Sequence, residues 1–260
     1  MSGTFEMLKD HARIIWALML REIATRYGRD NLGFLWVICE PLVFCVGVLI
    51  LWRSIRGQYE NGIGVVPFVM TGYMPTILVR HIAMYSINSI RVNSGLLYHK
   101  SITVLDLFSS RIILEFFGVS LAFFVVYSIL GVFSLIELPR NIGLVYEGWI
   151  ILGFSGAGLA LILGAISELF EVVERIISVT LYILVPLSGT FYMVDWLPPD
   201  VQRLALLMPF LDCTEMIRSG VFGSAVVAHY DVGYTVSVSC LMIFIGLLLM
   251  RHIRDRVEVI

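Results

Sequence analysis

The sequence predicts an all-α polytopic membrane protein with six transmembrane helices, an N-terminal amphipathic interface helix and a re-entrant external hairpin between the fifth and sixth helices. Three observations carry that prediction. The 260 residues are 58% hydrophobic and 15% charged, whereas a soluble domain holds about a quarter charged residues and under half apolar ones. The mean hydropathy is +0.89. The apolar residues also gather in six runs close to the length of about 20 that a helix needs to cross a hydrocarbon core, with no ten-residue alternation of the kind a β-barrel shows.

The same composition excludes several function classes. The 18 Lys and Arg against 20 Asp and Glu supply no basic excess for nucleic acid. Cys39, Cys45, Cys213 and Cys240 form no CxxC pair and have no His at ligand spacing, so neither a metal site nor a disulfide framework is expected.

In chain order, Phe5, Leu8, Ala12, Ile15, Met19 and Ile23 recur at three- and four-residue steps, while Lys9, Arg13, Glu22 and Arg26 take other faces. Residues 1–30 therefore read as a helix lying along the cytoplasmic leaflet. The six spans fall at 36–52, 65–87, 112–136, 144–167, 176–194 and 232–250, followed by a short tail at 251–260. No cleavable signal peptide is expected, because the first apolar run begins only near position 32. No segment between the spans could hold a nucleotide-binding domain, so residues 1–260 read as one membrane domain.

The connections carry their own signals. The link from Arg91 to Asp106 has Asn93 and Ser94 as capping residues and apolar Leu96, Leu97, Val104 and Leu105. A connector this apolar folds back on its own bundle or inserts as a knob into a partner; in the second case, charge at Leu97 or Val104 uncouples it. The acidic link from Glu168 to Arg175 is a second contact candidate. After the fifth span, Pro198, Pro199 and Pro209 divide an apolar stretch into helical pieces at 200–208 and 211–222. Both are too short to cross, which suggests a re-entrant hairpin.

An even number of crossings leaves both termini on one side. That side holds 12 of the Lys and Arg residues against five opposite, with Arg80 inside a span, so both termini are expected in the cytoplasm. Enzymatic motifs are incomplete. Gly153-Phe154-Ser155-Gly156 matches the GxSG of intramembrane serine proteases, yet the sixth span offers no histidine as general base, and small residues at Gly156, Ala160 and Gly164 read as close helix packing. Lys100-Ser101 lacks the glycines of a phosphate-binding loop. The intramembrane ionisable residues Arg80, His81, Glu40, Glu115 and Glu147 lie toward span ends and form no acidic ladder for proton coupling; Arg80 near its helix end reads as a snorkelling side chain.

Arg26-Tyr27, then Leu32-Gly33-Phe34-Leu35-Trp36 and Pro41, resemble the opening of the type 2 ABC exporter permeases for polysaccharides, the KpsM-like capsular polysaccharide export permeases in particular. Leu197-Pro198 through Pro209 to Glu215-Met-Ile-Arg-Ser-Gly220 resembles that family's second landmark, with Met208 where the family usually has Asn. The resemblance implies a homodimeric transport subunit of the bacterial inner membrane, not itself an enzyme. ATP and Mg would be bound by a separate cytoplasmic ATPase dimer. Periplasmic and outer-membrane polysaccharide export proteins would continue the route, and the cargo would be an anionic, lipid-terminated capsular polysaccharide. Permeases for O-antigen, teichoic acid, drugs or lipids share this architecture and remain alternatives. By analogy Ser94, Leu96, Leu97, Tyr98, Lys100, Val104 and Asp106 form the ATPase-coupling helix, and Arg21, Arg26 and Tyr27 stand at the cytoplasmic mouth. The first and fifth spans line the dimer seam. Trp36, Phe44, Tyr182, Phe191 and Tyr192 are the candidate substrate path, since aromatic faces contact sugar rings without the deep binding that would stall a moving polymer.

Overall fold

A computed structural model describes residues 2–27, 39, 42–43, 46–48, 50–51, 54, 59–60, 62–97 and 102–257. Helix α1 spans Ser2–Tyr27. A two-residue antiparallel pair, β1 (Tyr59–Glu60) with β2 (Ile63–Gly64), leads into α2 (Val65–Ser86). Two single-turn helices follow, α3 (Ser89–Val92) and α4 (Ser94–Leu97). The long helices α5 (Val104–Val132) and α6 (Ile142–Leu169) run into α7 (Glu171–Leu187). The chain closes with α8 (Pro199–Ala205), α9 (Pro209–Phe222) and α10 (Val232–Val257).

Four helices among the described residues are long and apolar enough to cross a membrane: α2, α5, α6 and the 232–253 part of α10. The first expected span, at 36–52, lies mostly outside the described residues. The expected span at 112–136 belongs to a helix that starts eight residues earlier, because Thr103 and Asp106 form a reciprocal capping box. Hydropathy hides that start, since Asp106 and Arg111 interrupt the apolar run. The fifth span is expected to reach residue 194 but stops at Leu187: Pro186 sits in its last turn and Gly189 takes φ +75, reversing the chain against Leu211. At 17 residues α7 is shorter than a nominal crossing. The two expected pieces after it appear as α8 and α9, each with proline in its first turn, where the missing N–H costs nothing.

The inward side of α1 joins Ile15, Met19 and Ile23 of the expected stripe, all half-buried, to residues outside that stripe. His11, Leu18 and Glu22 turn toward the bundle, while Met7, Trp16 and Leu20 stay exposed. Polar residues lie there because α5 supplies Asp106 to His11 and Arg111 to Glu22, and Asn93 between α3 and α4 supplies an acceptor to Arg21.

Helix α6 is the centre of the bundle and touches α2, α9 and α10 along its length. Its small residues make this possible. A Cβ on Gly158 would lie 2.7 Å from the Met242 Cβ and 3.0 Å from the Ile243 backbone nitrogen of α10. A Cβ on Gly164 would run into the Phe108 ring of α5, and Ala160 is fully buried. Large apolar side chains instead cover the outer faces of α5, α7 and α10, among them Phe117, Phe124, Ile176 and Phe244. A soluble monomer does not expose apolar surface on that scale.

Gly158→Leu should drive α6 and α10 apart and lower the thermal unfolding midpoint in detergent, overpacking costing about 1–3 kcal/mol. Gly131→Ala, with nothing within 4 Å of the added carbon, should leave the midpoint almost unchanged.

Candidate functional site

Two polar clusters stand at opposite ends of the bundle. The first joins α1 to the turns after α2. The Asp106 carboxylate accepts from the Thr103 backbone N–H at 2.9 Å and hydroxyl at 2.7 Å through Oδ2, and its Oδ1 lies 2.8 Å from His11 Nδ1. Arg111, buried on α5, donates to the Tyr85 carbonyl at 2.7 Å and the Ser89 hydroxyl at 2.9 Å, with Glu22 of α1 at 3.3 Å. Arg21 donates to Asn93 at 2.9 Å, and Asn93 donates in turn to the Ser89 carbonyl. Glu168, at the end of α6, accepts from the backbone N–H of Ile90 at 3.0 Å and of Arg91 at 3.4 Å. A carboxylate at the start of a helical turn satisfies donors that have no partner within the helix. Arg91 also approaches Glu174 of α7 at 3.9 Å. Five helices thereby meet around the α3–α4 segment.

The second cluster centres on α9. Arg218 is fully buried, donates to the carbonyls of Tyr192 at 2.6 Å and Thr190 at 3.2 Å, and lies 4.2 Å from the Phe68 ring centroid. Glu215, one turn earlier, sits 3.8 Å from it and accepts from the backbone N–H of Val194 and His229. Burial pulls the Arg218 guanidinium down to about 10, with Glu215 opposing, so the arginine stays charged at neutral pH. Burial pushes the Glu215 carboxyl up, and the neighbouring Arg218 charge works against that rise. Thr76 on α2 shares a hydroxyl cluster with Ser188 and Thr190, at 2.6 and 2.7 Å. Beside α9, an open cleft of about 500 Å³ is lined by Arg203, Leu207, Asp212, His229, Tyr230 and Tyr234.

The expected site residues distribute as follows. Ser94 is exposed on α4, with Leu96 and Leu97 half-buried beside it. Tyr98, Lys100, Trp36 and Phe44 lie outside the described residues. Val104 and Asp106 are buried within the bundle, Val104 in a cluster with Ile90, Phe108 and Met250. They do not share the exposed surface of α4, because the capping box draws them into the first turn of α5. Arg21 is exposed on α1; Arg26 and Tyr27 occupy its last turn, their side chains outside the described residues. Tyr182 stands exposed on α7, while Phe191 and Tyr192 lie past the end of that helix, half-buried in the returning turn.

Sequence reasoning overlooked His11, Glu22, Arg111 and Glu168 as one network. It also overlooked Arg218, although the Glu215-x-x-Arg218 spacing inside an otherwise buried short helix was a usable signal. The serine of the GxSG sequence is buried; its hydroxyl donates to the Ile151 carbonyl and lies 2.5 Å from the Ser239 hydroxyl. Serine and glycine here serve helix contact.

Arg218→Ala should be strongly destabilising, by about 3–5 kcal/mol, because it strands Glu215 in the interior. Replacing both residues, with Arg218→Met and Glu215→Leu, should recover part of that loss in thermal unfolding measured in detergent.

Comparison with known proteins bears on what these clusters serve. Residues 13–222 match the family described as ABC-2 type transporter. The chain is 35% identical over 254 residues to the capsule polysaccharide export inner-membrane protein CtrC of Neisseria meningitidis serogroup B, covering 98% of this chain and 96% of that protein. It is 34% identical to BexB of Haemophilus influenzae, also named a capsule polysaccharide export inner-membrane protein, over 97% of this chain and 96% of the relative. The polysialic acid transport protein KpsM of Escherichia coli is 25% identical, with 90% and 91% covered. The apolar exterior, the helical bundle and a match across most of the sequence agree: the chain belongs to the ABC-2 type transporter family.

Proposed function

We propose that this chain is the membrane-spanning permease subunit of an ATP-driven exporter carrying capsular polysaccharide across the bacterial inner membrane. The single observation that carries the reading is near-complete similarity to proteins named for capsule polysaccharide export. The chain works as a homodimer on a cytoplasmic ATPase dimer that binds ATP and Mg, and hands its cargo to periplasmic and outer-membrane export proteins. Both termini are cytoplasmic, in keeping with the Lys and Arg distribution. Helix α1 lies in the cytoplasmic leaflet through Met7, Trp16 and Leu20, and α8 with α9 form the re-entrant hairpin.

In this reading α3 and α4 are the lever. They are too short to form an independent unit, yet hydrogen bonds tie them to α1 through Arg21 and Asn93, to α5 through Arg111 and Ser89, and to α6 through Glu168. A displacement applied to Val92 or Ser94, both exposed, therefore moves several long helices together. The cargo passes over exposed rings such as Tyr182, with Phe191 and Tyr192 near the far end and Arg21, Arg26 and Tyr27 at the mouth. The polymer is anionic and lipid-terminated. The names of the relatives favour capsule over O-antigen, teichoic acid, drug or lipid cargo.

Val92→Asp should insert normally and bind the ATPase weakly, with surface capsule, measured by immunoassay, reduced at least tenfold; unchanged capsule would remove α3 from the coupling surface. Ser155→Ala should leave export within about twofold of wild type, since its hydroxyl bonds only to packed neighbours, whereas a hydrolase nucleophile replaced in this way loses orders of magnitude in rate.

A further inference from the structure

Charged side chains inside the bundle come with partners. His81 of α2 stands 3.4 Å from Glu115 of α5, Arg111 meets Glu22, Arg218 meets Glu215, and Asp106 meets His11. Arg80 differs. Among the described residues it has neither a hydrogen-bond acceptor nor a carboxylate within 4.0 Å, and its Nε is buried without a partner. A cation inside a transmembrane helix is expensive and marks a functional position by default.

The placement of Arg80 says what it could hold. It lies six residues before the end of α2, about 9 Å along the axis at 1.5 Å per residue. The side chain crosses to α7, where its guanidinium carbon lies 5.5 Å from the centre of the Tyr182 ring. Tyr182 is 60% exposed and Arg80 itself is partly exposed, so the pair faces outward from the α2–α7 surface. A planar cation resting on an aromatic face remains available to an anion at its edge. The ring beside it offers the flat contact that a pyranose prefers.

We propose that Arg80 and Tyr182 form an anion subsite, in which the guanidinium pairs with a carboxylate or phosphate while the ring stacks against the sugar or chain that bears it. The inference rests on the polysaccharide-export reading. It adds a determinant of cargo charge, because a neutral polymer leaves the Arg80 charge uncompensated. The same chemistry could come from acidic residues of the glycan or from a phospholipid headgroup, and these sources can be separated.

The full-length protein in phosphatidylcholine nanodiscs is titrated with fluorescent oligogalacturonate and with dextran of equal length. In wild type the acidic probe should bind more tightly, and Arg80→Gln should weaken its binding at least tenfold while leaving dextran unaffected. Arg80→Lys should restore part of the affinity. Tyr182→Leu, at an exposed position where folding is not at stake, should weaken both probes severalfold. If Arg80→Gln leaves oligogalacturonate unchanged but loses phosphatidylglycerol retained from mixed nanodiscs, the anion subsite stands and its ligand is the headgroup. If Arg80→Gln changes neither, the proposal is overturned. Surface capsule in a strain lacking this chain separates the two levels: capsule that persists without the chain removes the export reading, whereas capsule that is lost without it and restored in full by Arg80→Gln removes only the role of the subsite in selecting cargo.

Discussion

The close approach of helices around α6 is the constraint on which the rest of the structure depends. Lipid is as apolar as leucine, so helices within a bilayer gain little from hiding hydrocarbon and must associate through contact and polar pairing. On α6 the glycines meet different neighbours in turn. Gly148 lies against Ile217 and the Cys213 carbonyl of α9, Gly156 against Val79 and Ile82 of α2, Gly158 against α10 and Gly164 against Phe108 of α5. One helix can serve four contacts because its side chains nearly vanish where backbones converge. The short helix α9 would have no seat without that surface, and the polar clusters at the two ends would not meet.

Those clusters divide the work that water does in a soluble protein. Arg218 stands where the chain reverses after α7, and its guanidinium satisfies the carbonyls of Thr190 and Tyr192 in the turn that follows the helix. Glu215 satisfies two backbone N–H groups of neighbouring turns and offsets the arginine charge. At the opposite end Arg111 and Glu168 do the same for the turns around α3. Buried charges are tolerated at both places because backbone groups, not only opposite charges, complete their coordination. The consequence is two stiff ends joined by apolar helices, an arrangement able to carry a push from one face of the bundle toward the other.

How much was legible from the sequence differs by element. The span at 65–87 and the start of the last helix at Val232 agree with the structure closely, since both are bounded by plain changes in polarity. The prolines marked α8 and α9 to within a few residues. The start of α5 was not legible, because a hydropathy profile treats Asp106 and Arg111 as interruptions when both are satisfied inside the fold. For the same reason Val104 reads as part of an apolar connector although it packs with Met250 and Ile253 from the other end of the chain. Along α1 periodicity picks out Ile15, Met19 and Ile23, which are half-buried, but it cannot show that His11 and Glu22 also turn inward, because their partners Asp106 and Arg111 are supplied only by folding.

Hydropathy, helix period and turn residues are properties of neighbouring positions. They were therefore enough to establish a helical membrane protein, its broken segment after α7 and the family landmarks near both. Which charges meet is another matter. His11 and Asp106 are 95 positions apart, and Thr76 and Thr190 are separated by 114. No local rule couples such distant groups, because their energies depend on distance and on the loss of water around them, and both quantities exist only once the helices have packed.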